Sequence, residues 1–316
     1  MAEHAEHEEG GHGTKSVIVA LLANLGIAAA KFVGFIITGA SSMLAEAIHS
    51  VADSGNQAVL LIGGRRATRG PDRQHPFGHG QTRYFAAFMV AVILFTMGAL
   101  FSLYEGYEKI VHPHEIESPL VALVILGIAL ALEGFSLRTA VKESNPLRGD
   151  QSWWSFIRTT KKPELAVVLL EDTAAELGLL FAFAGVGLAA LTGDVIYDAI
   201  GTLAIGALLG AVAVILAIEM HSLLIGEAAS PSQQALIRKT LEGSPGIVGI
   251  ADLRTMHLGP EELLVAGRVE IDHTMSADQA ATVIDDASDR LRDAVPTARI
   301  IYLEPDLKTV PGRVSG

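Results

Sequence analysis

The chain contains no cysteine. Disulfide staples, thiolate metal sites and cysteine nucleophiles are thereby excluded, while the compartment stays open. No basic stripe of the kind that binds nucleic acid runs along the sequence. The net charge of -12 is unevenly spread: acids concentrate in the tails and the C-terminal part, and Arg and Lys cluster in particular loops. The opening MAEHAEHEEGGHGTK is polar and acidic, so it does not read as a signal peptide. What the chain does have is apolar residues. They make up 50% of its 316 positions, the mean hydropathy is +0.41, and several runs are long enough to span a bilayer.

One of these runs is unusual. The stretch Ser41 to Ala67 reads as a spanning helix, yet it carries Glu46, His49 and Asp53. Spacings of three and four put all three on one helical face. Ionisable groups at bilayer depth are expensive, and they usually face a bundle interior, a cavity or an ion path. Imidazole nitrogen with carboxylate oxygen suits a borderline divalent metal such as zinc. The competing reading is a buried His–Asp pair that only fixes helix packing.

In chain order, residues 1–14 form a His- and Glu-containing tail with His4, His7 and His12. Such a tract either scavenges metal loosely or is a solvated tail. Residues 15–225 are expected to hold six transmembrane helices. Helix one spans about Lys15 to Ile37 and contains Lys31, which either pairs with an acid on a neighbouring helix or snorkels. Helix two ends at Gly63-Gly64, helix three spans Tyr84 to Tyr107, helix four Leu120 to Val141 with Glu133, helix five Glu164 to Leu191, and helix six Val195 to Leu224 with Asp198 near its start. The loop after helix two carries Arg65, Arg66, Arg69, Arg73 and Arg83, which places it on the cytoplasmic side, with both termini. The loop Lys142 to Lys162 is basic as well; its SWWSFIRTTKKP centre suits a short segment at the membrane interface, or a packed loop.

Residues 226–308 have the composition of a soluble domain, with a tail at 309–316. Ser230-Pro231 opens a helix through Leu241, strands run Val248 to Leu258 and Leu263 to Ile271 across a GPEE turn, a helix spans Ser276 to Ala294, and a last strand runs Ala298 to Glu304. The order αββαβ is that of a small ferredoxin-like sheet. The fold expected is an α-helical membrane bundle followed by a ferredoxin-like α+β cytoplasmic domain.

Helix five mirrors helix two. Asp172 and Glu176 lie one turn apart, and Glu171 is rotated from Asp172 by about 100°. If helices two and five pack together, His49, Asp53 and Asp172 can converge on one ion, with Glu46 and Glu176 as candidate further ligands or proton carriers. A second trio, Asp72, His75 and His79, lies in the loop after helix two and could hold a second ion. The plainer reading of that loop is that His79 and Gly80 shape the entry into helix three. His257 and His273 are scattered with Asp272 and Glu304 and read as solvated edge residues.

These residues resemble the cation diffusion facilitator family over nearly the whole chain. The resemblance rests on H-x-x-x-D at His49 and Asp53, FGHG at Phe77 to Gly80, and ADLRT at Ala251 to Thr255. PELAVVLLEDTAAELG with the SWW loop looks closest to the branch that includes a mitochondrial zinc transporter of animals. The resemblance implies a homodimer that exchanges a divalent cation for protons by alternating access, with two site residues from helix two and two from helix five. Asp172 matches the second helix-five ligand, but the first falls on Val168, which has no ligand atom. Glu46, Glu176, Glu171 or water are left to fill that place. Ala251 and Tyr302 stand where the family often has imidazoles, so little or no metal binding is expected in the soluble domain. The loop trio resembles a second zinc site of bacterial members.

The reading is a proton-coupled exporter of zinc, with manganese, iron or cobalt as other cargo, in a cell inner (cytoplasmic) membrane. The rivals are an intramembrane metal-dependent hydrolase, which the lack of an H-E-x-x-H pair disfavours, and a non-transporting metal sensor.

Overall fold

The structure is a computed structural model and describes residues 25–307. The N-terminal His tail, the first ten residues assigned to helix one and the C-terminal tail lie outside the described residues. The described chain forms two compact units: residues 25–63 with 86–220, and residues 64–85 with 221–307.

The first unit is helical. Helix α1 is described over Leu25–Thr38 and α2 spans Ser41–Ala67. Helix three of the sequence reading is α3 (Thr82–Ile93), a π-helical turn (Leu94–Leu100) and α4 (Phe101–Val111) in one continuous run. Helices four, five and six are α5 (Pro119–Arg148), α7 (Pro163–Thr192) and α8 (Ile196–Ile225). These last four runs have 30 residues each and are apolar enough to cross a membrane. At 1.5 Å per residue each is about 45 Å long. With α1 and α2 they make a six-helix membrane domain. α5 runs seven residues beyond its expected end at Val141. It continues through Pro146 and stops at Gly149, which adopts φ 57°.

Small residues bring the helices close, as packing in lipid requires. A Cβ at Gly185 of α7 would lie 2.9 Å from the Tyr197 carbonyl oxygen of α8. One at Gly201 of α8 would lie 2.9 Å from the Phe181 carbonyl oxygen of α7. The SWW segment is a short helix, α6 (Trp153–Thr159), opened by Ser152, whose hydroxyl accepts from the Ser155 amide at 3.1 Å. It packs through buried Phe156 on Ala140 and Leu169, and Arg158 Nε meets Glu219 Oε1 at 3.1 Å.

The outer turn of α2 has no acid of its own. A helix N-terminus exposes unsatisfied amides and favours negative charge. Asp198 of α8 supplies it. Its carboxylate accepts from the Ser41 amide at 2.9 Å, from the Ser42 amide at 3.3 Å and from the Ser42 hydroxyl. Lys109 of α4 lies 3.9 Å from Asp198 and donates to the Gly39 carbonyl oxygen at 3.1 Å. Asp198 and Lys109 are both buried.

The second unit holds α9 (Pro231–Glu242), β1 (Ile247–Gly259), β2 (Glu262–Ile271), α10 (Ala277–Ala294) and β3 (Ile300–Leu307). Both helices open with a capping box, Ser230 with Gln233 and Ser276 with Gln279. The sheet order is β1-β2-β3, antiparallel then parallel. Period-two alternation puts Leu263 and Val265 on the face that packs against Ile237, Leu241, Ala287 and Leu291. This is the expected αββαβ order.

The loop between α2 and α3 belongs to this unit. Asp72 organises it, accepting from the Gln74 and His75 amides at 2.8 and 2.7 Å. A glycine pair fixes it to the β1–β2 hairpin. A Cβ at Gly80 would lie 2.7 Å from the Leu258 carbonyl oxygen, and one at Gly259 3.0 Å from the Gly80 Cα.

Two outcomes follow from this packing. Asp198→Ala strips one partner from a buried charge and should cost about 3–5 kcal/mol. A lower thermal-unfolding midpoint in detergent checks it, and an unchanged midpoint removes the cap's weight. The amides of His75 and Gln74 and the His79 ring hold Asp72 down from an ordinary 3.8 to about 2. A depressed carboxylate stabilises its loop above the unfolded value and loses that contribution as pH falls from about 4 toward 2. The hydrogen-exchange protection factors of the Gln74 and His75 amides, corrected for the intrinsic pH dependence, should therefore hold steady down to about pH 4 and fall toward pH 2.

Candidate metal centre

The middle of α2 carries its ionisable face into the helical unit. Five residues after the buried Ser41 comes Glu46, fully buried, with Lys31 Nζ of α1 at 3.1 Å from its Oε2. Lys31 also donates to Ser50 Oγ at 2.8 Å. Of the two readings for Lys31, pairing with an acid on a neighbouring helix is the one realised. His49 is buried, and its Nδ1 lies 3.5 Å from Asp53 Oδ1. That contact does not have hydrogen-bond geometry, so both ring nitrogens and Asp53 Oδ1 are buried without a hydrogen-bond partner among the described residues. Leaving such atoms unsatisfied costs about 1–3 kcal/mol each. A ligand that accepts their lone pairs removes that cost.

Asp53 opens onto a cavity of about 80 Å³ between α2, α5 and α7. Asp172 and Glu171 of α7 line it, as do Glu133 and Ser136 of α5. A water needs only about 10–15 Å³ of such volume, so the space admits a partly hydrated cation. Ser136 Oγ donates to Asp172 Oδ2 at 3.1 Å, and Asn56 Nδ2 of α2 donates to Glu171 Oε1 at 2.6 Å. These bonds orient the α7 carboxylates from two different helices. Helices two and five of the sequence reading do share one cavity, through Asp53 and Asp172. The ligand atoms of His49, Asp53 and Asp172 are not drawn into a coordination-sized cluster. Among the described residues that closeness is met only by Asp72, His75 and His79, whose ligand atoms all lie within 4.8 Å of one another.

The remaining candidates stand apart. Glu46 is engaged by Lys31. Glu176 is turned toward Gly134 of α5, where a Cβ would lie 3.4 Å from its Oε1, and its Oε2 is buried without a hydrogen-bond partner. Val168, at the place of the missing helix-five ligand, also lines the cavity and leaves an apolar patch there. Sequence reasoning assigned no role to Glu133, although an acid in the apolar part of that helix was the signal for it. The role of Ser136 had no signal, because a serine in a helix is common.

In the loop, His79 Nε2 lies 3.0 Å from Asp72 Oδ2 and His75 Nδ1 3.3 Å from Asp72 Oδ1. The two rings are 4.3 Å apart between centroids. Two imidazoles and a carboxylate held this closely form a three-ligand set for a borderline metal, with room for water. In the soluble unit, His257 is buried and its backbone amide donates to the Glu227 carbonyl oxygen at 2.8 Å. It is a structural part of β1 and not the solvated edge residue expected. His273 is exposed beside Asp272.

Comparison with known proteins agrees with this layout. The family model of the cation efflux transmembrane domain matches residues 17–225, and that of the cation efflux protein cytoplasmic domain matches residues 229–306. The proton-coupled zinc antiporter SLC30A9, mitochondrial, of Xenopus laevis is 38% identical over 261 residues, covering 82% of this chain and 46% of that protein. The Homo sapiens protein of the same name is 36% identical over 260 residues, with the same coverage. The cation-efflux pump FieF of Pectobacterium atrosepticum is 27% identical over 286 residues, 88% of either chain. The chain thus spans about half the length of the antiporters that it matches and most of the length of the bacterial pump. With six membrane helices, an αββαβ domain and both family models matched along nearly its whole length, this chain belongs to the cation efflux family.

Proposed function

We propose that the chain is a proton-coupled divalent-cation transporter with zinc as its preferred cargo. The observation that carries the proposal is the cavity inside the membrane unit that Asp53 and Asp172 line from two helices, with His49 beside Asp53 and its ring nitrogens unpartnered. One imidazole among carboxylates favours zinc over harder cations, while manganese, iron and cobalt remain within reach of the same donors. The names of the SLC30A9 relatives support zinc and proton coupling, and that of FieF supports cation efflux.

In this reading His49, Asp53 and Asp172 bind the cation, and a water or Glu171 takes the place that Val168 leaves empty. Glu46 and Glu176 stand outside the ligand set. The ligands must lose protons before they bind metal, so arrival of the cation releases protons and its departure takes them up. Ser136 and Asn56 hold the α7 carboxylates in place, which limits the rearrangement each cycle demands. Glu133 adds a further carboxylate to the proton path at the cavity wall. Asp72, His75 and His79 form a second metal site. The arginine-rich loop sets that site on the cytoplasmic side by the positive-inside rule. The active unit is a homodimer in a cell inner membrane, exporting metal from the cytoplasm.

Zinc-driven proton flux in proteoliposomes tests this reading. Asp53→Ala and Asp172→Ala should each lower flux by about tenfold or more, each tenfold being 1.4 kcal/mol, while the protein stays folded. Near-normal flux in Asp172→Ala takes α7 out of the site. Absence of flux in the wild type, with zinc still bound, favours a sensor, and turnover of a peptide or lipid substrate favours a hydrolase. His75→Ala with His79→Ala should lower bound zinc by one ion per chain, and an unchanged count returns the loop to a structural role.

A further inference from the structure

The buried pair Lys31–Glu46 has no part in the transport reading. A lysine ammonium is a compact, strongly hydrated charge, rarely buried without partners. Here both its partners are on α2: Glu46 Oε2 at 3.1 Å and Ser50 Oγ at 2.8 Å. Lys31 is 1% exposed and Glu46 0%. Ser50 also lines the cavity of Asp53 and Asp172. A cation tethered to α1 therefore sits one hydroxyl away from the cavity wall. Glu46 lies one turn before His49 on the same face. Its other oxygen, Oε1, has no hydrogen-bond partner and is turned toward Gly178 of α7. A Cβ at Gly178 would lie 2.6 Å from it, so glycine leaves the carboxylate its space.

We propose that Lys31 is a positioning residue that sets the metal affinity and turnover of the cavity by holding Glu46 out of its ligand set. This rests on the transport reading above. With the ammonium in place, Glu46 is balanced and turned away, and an arriving cation meets His49, Asp53 and Asp172. Without it, an unpaired carboxylate stands one turn from His49 and becomes a further anionic ligand. The charge count of the ligands tunes how tightly a site holds a divalent cation. Tighter sites release their occupant more slowly. Lys31 thus trades affinity for turnover.

The test uses the full chain in proteoliposomes, with zinc-driven proton flux followed over a zinc series. Lys31→Met should lower KM about tenfold and lower kcat by a similar factor, a change in the range seen when residues behind metal ligands are altered. Lys31→Arg, which keeps the pair, should restore both to within about threefold of wild type. Glu46→Gln alone should leave KM within about threefold, and Lys31→Met/Glu46→Gln should return KM close to wild type. An unchanged or raised KM in Lys31→Met overturns the proposal. So does a tenfold rise in KM for Glu46→Gln, which would make Glu46 a ligand already. If Lys31→Met does not fold, the double variant carries no unpaired charge and decides: a wild-type KM supports the proposal and a tenfold rise sinks it. If the wild type shows no flux, the transport reading fails by itself. Zinc titration calorimetry of the same variants in detergent then decides the role of Lys31, with Kd in place of KM.

Discussion

An ion moved out of water into an apolar bundle costs several kcal/mol unless partners replace its hydration. This constraint organises the membrane unit around α2. The helix brings an N-terminus, a glutamate, a histidine and an aspartate into a bundle whose other walls are largely apolar. Three of its acids are answered by a partner from another helix. Asp198 holds the amides at the start of α2, with Lys109 beside it. Lys31 answers Glu46. Asn56 answers Glu171 across to α7. These contacts tie α1, α4, α7 and α8 to α2.

Against that background the unanswered atoms stand out. Among the described residues, both nitrogens of His49 and one oxygen of Asp53 are buried without a hydrogen bond, and Asp53 lines the cavity that Asp172 also lines. These atoms belong to residues proposed above as cation ligands. The close helix contacts at Gly185 and Gly201 hold α7 against α8, since a side chain at either position would clash with the facing backbone. The same logic of close backbone contact recurs in the second unit. Gly80 and Gly259 let the metal-competent loop lie directly on the β1–β2 hairpin, so the loop's shape depends on the sheet and not on its own short sequence.

The sequence by itself determined the elements and their order. Long apolar runs dictate helices in lipid, because backbone groups there must bond within their own segment. Apolar runs on either side of the Gly259-Pro260 turn and the Ser-x-x-Gln capping boxes marked the strands and helices of the soluble domain. The spacing of Glu46, His49 and Asp53 put them on one face before any fold was known. Only the tertiary structure decided which of these acids face the cavity. Glu46 and Asp53 are equivalent in pattern, yet one meets Lys31 from α1 and the other an open space. Glu133, Asp198 and Ser136 come from sequence positions far from α2, and no local periodicity specifies the partner a side chain meets across a bundle. That partner depends on how the helices pack, and packing is a property of the whole set of side chains at once.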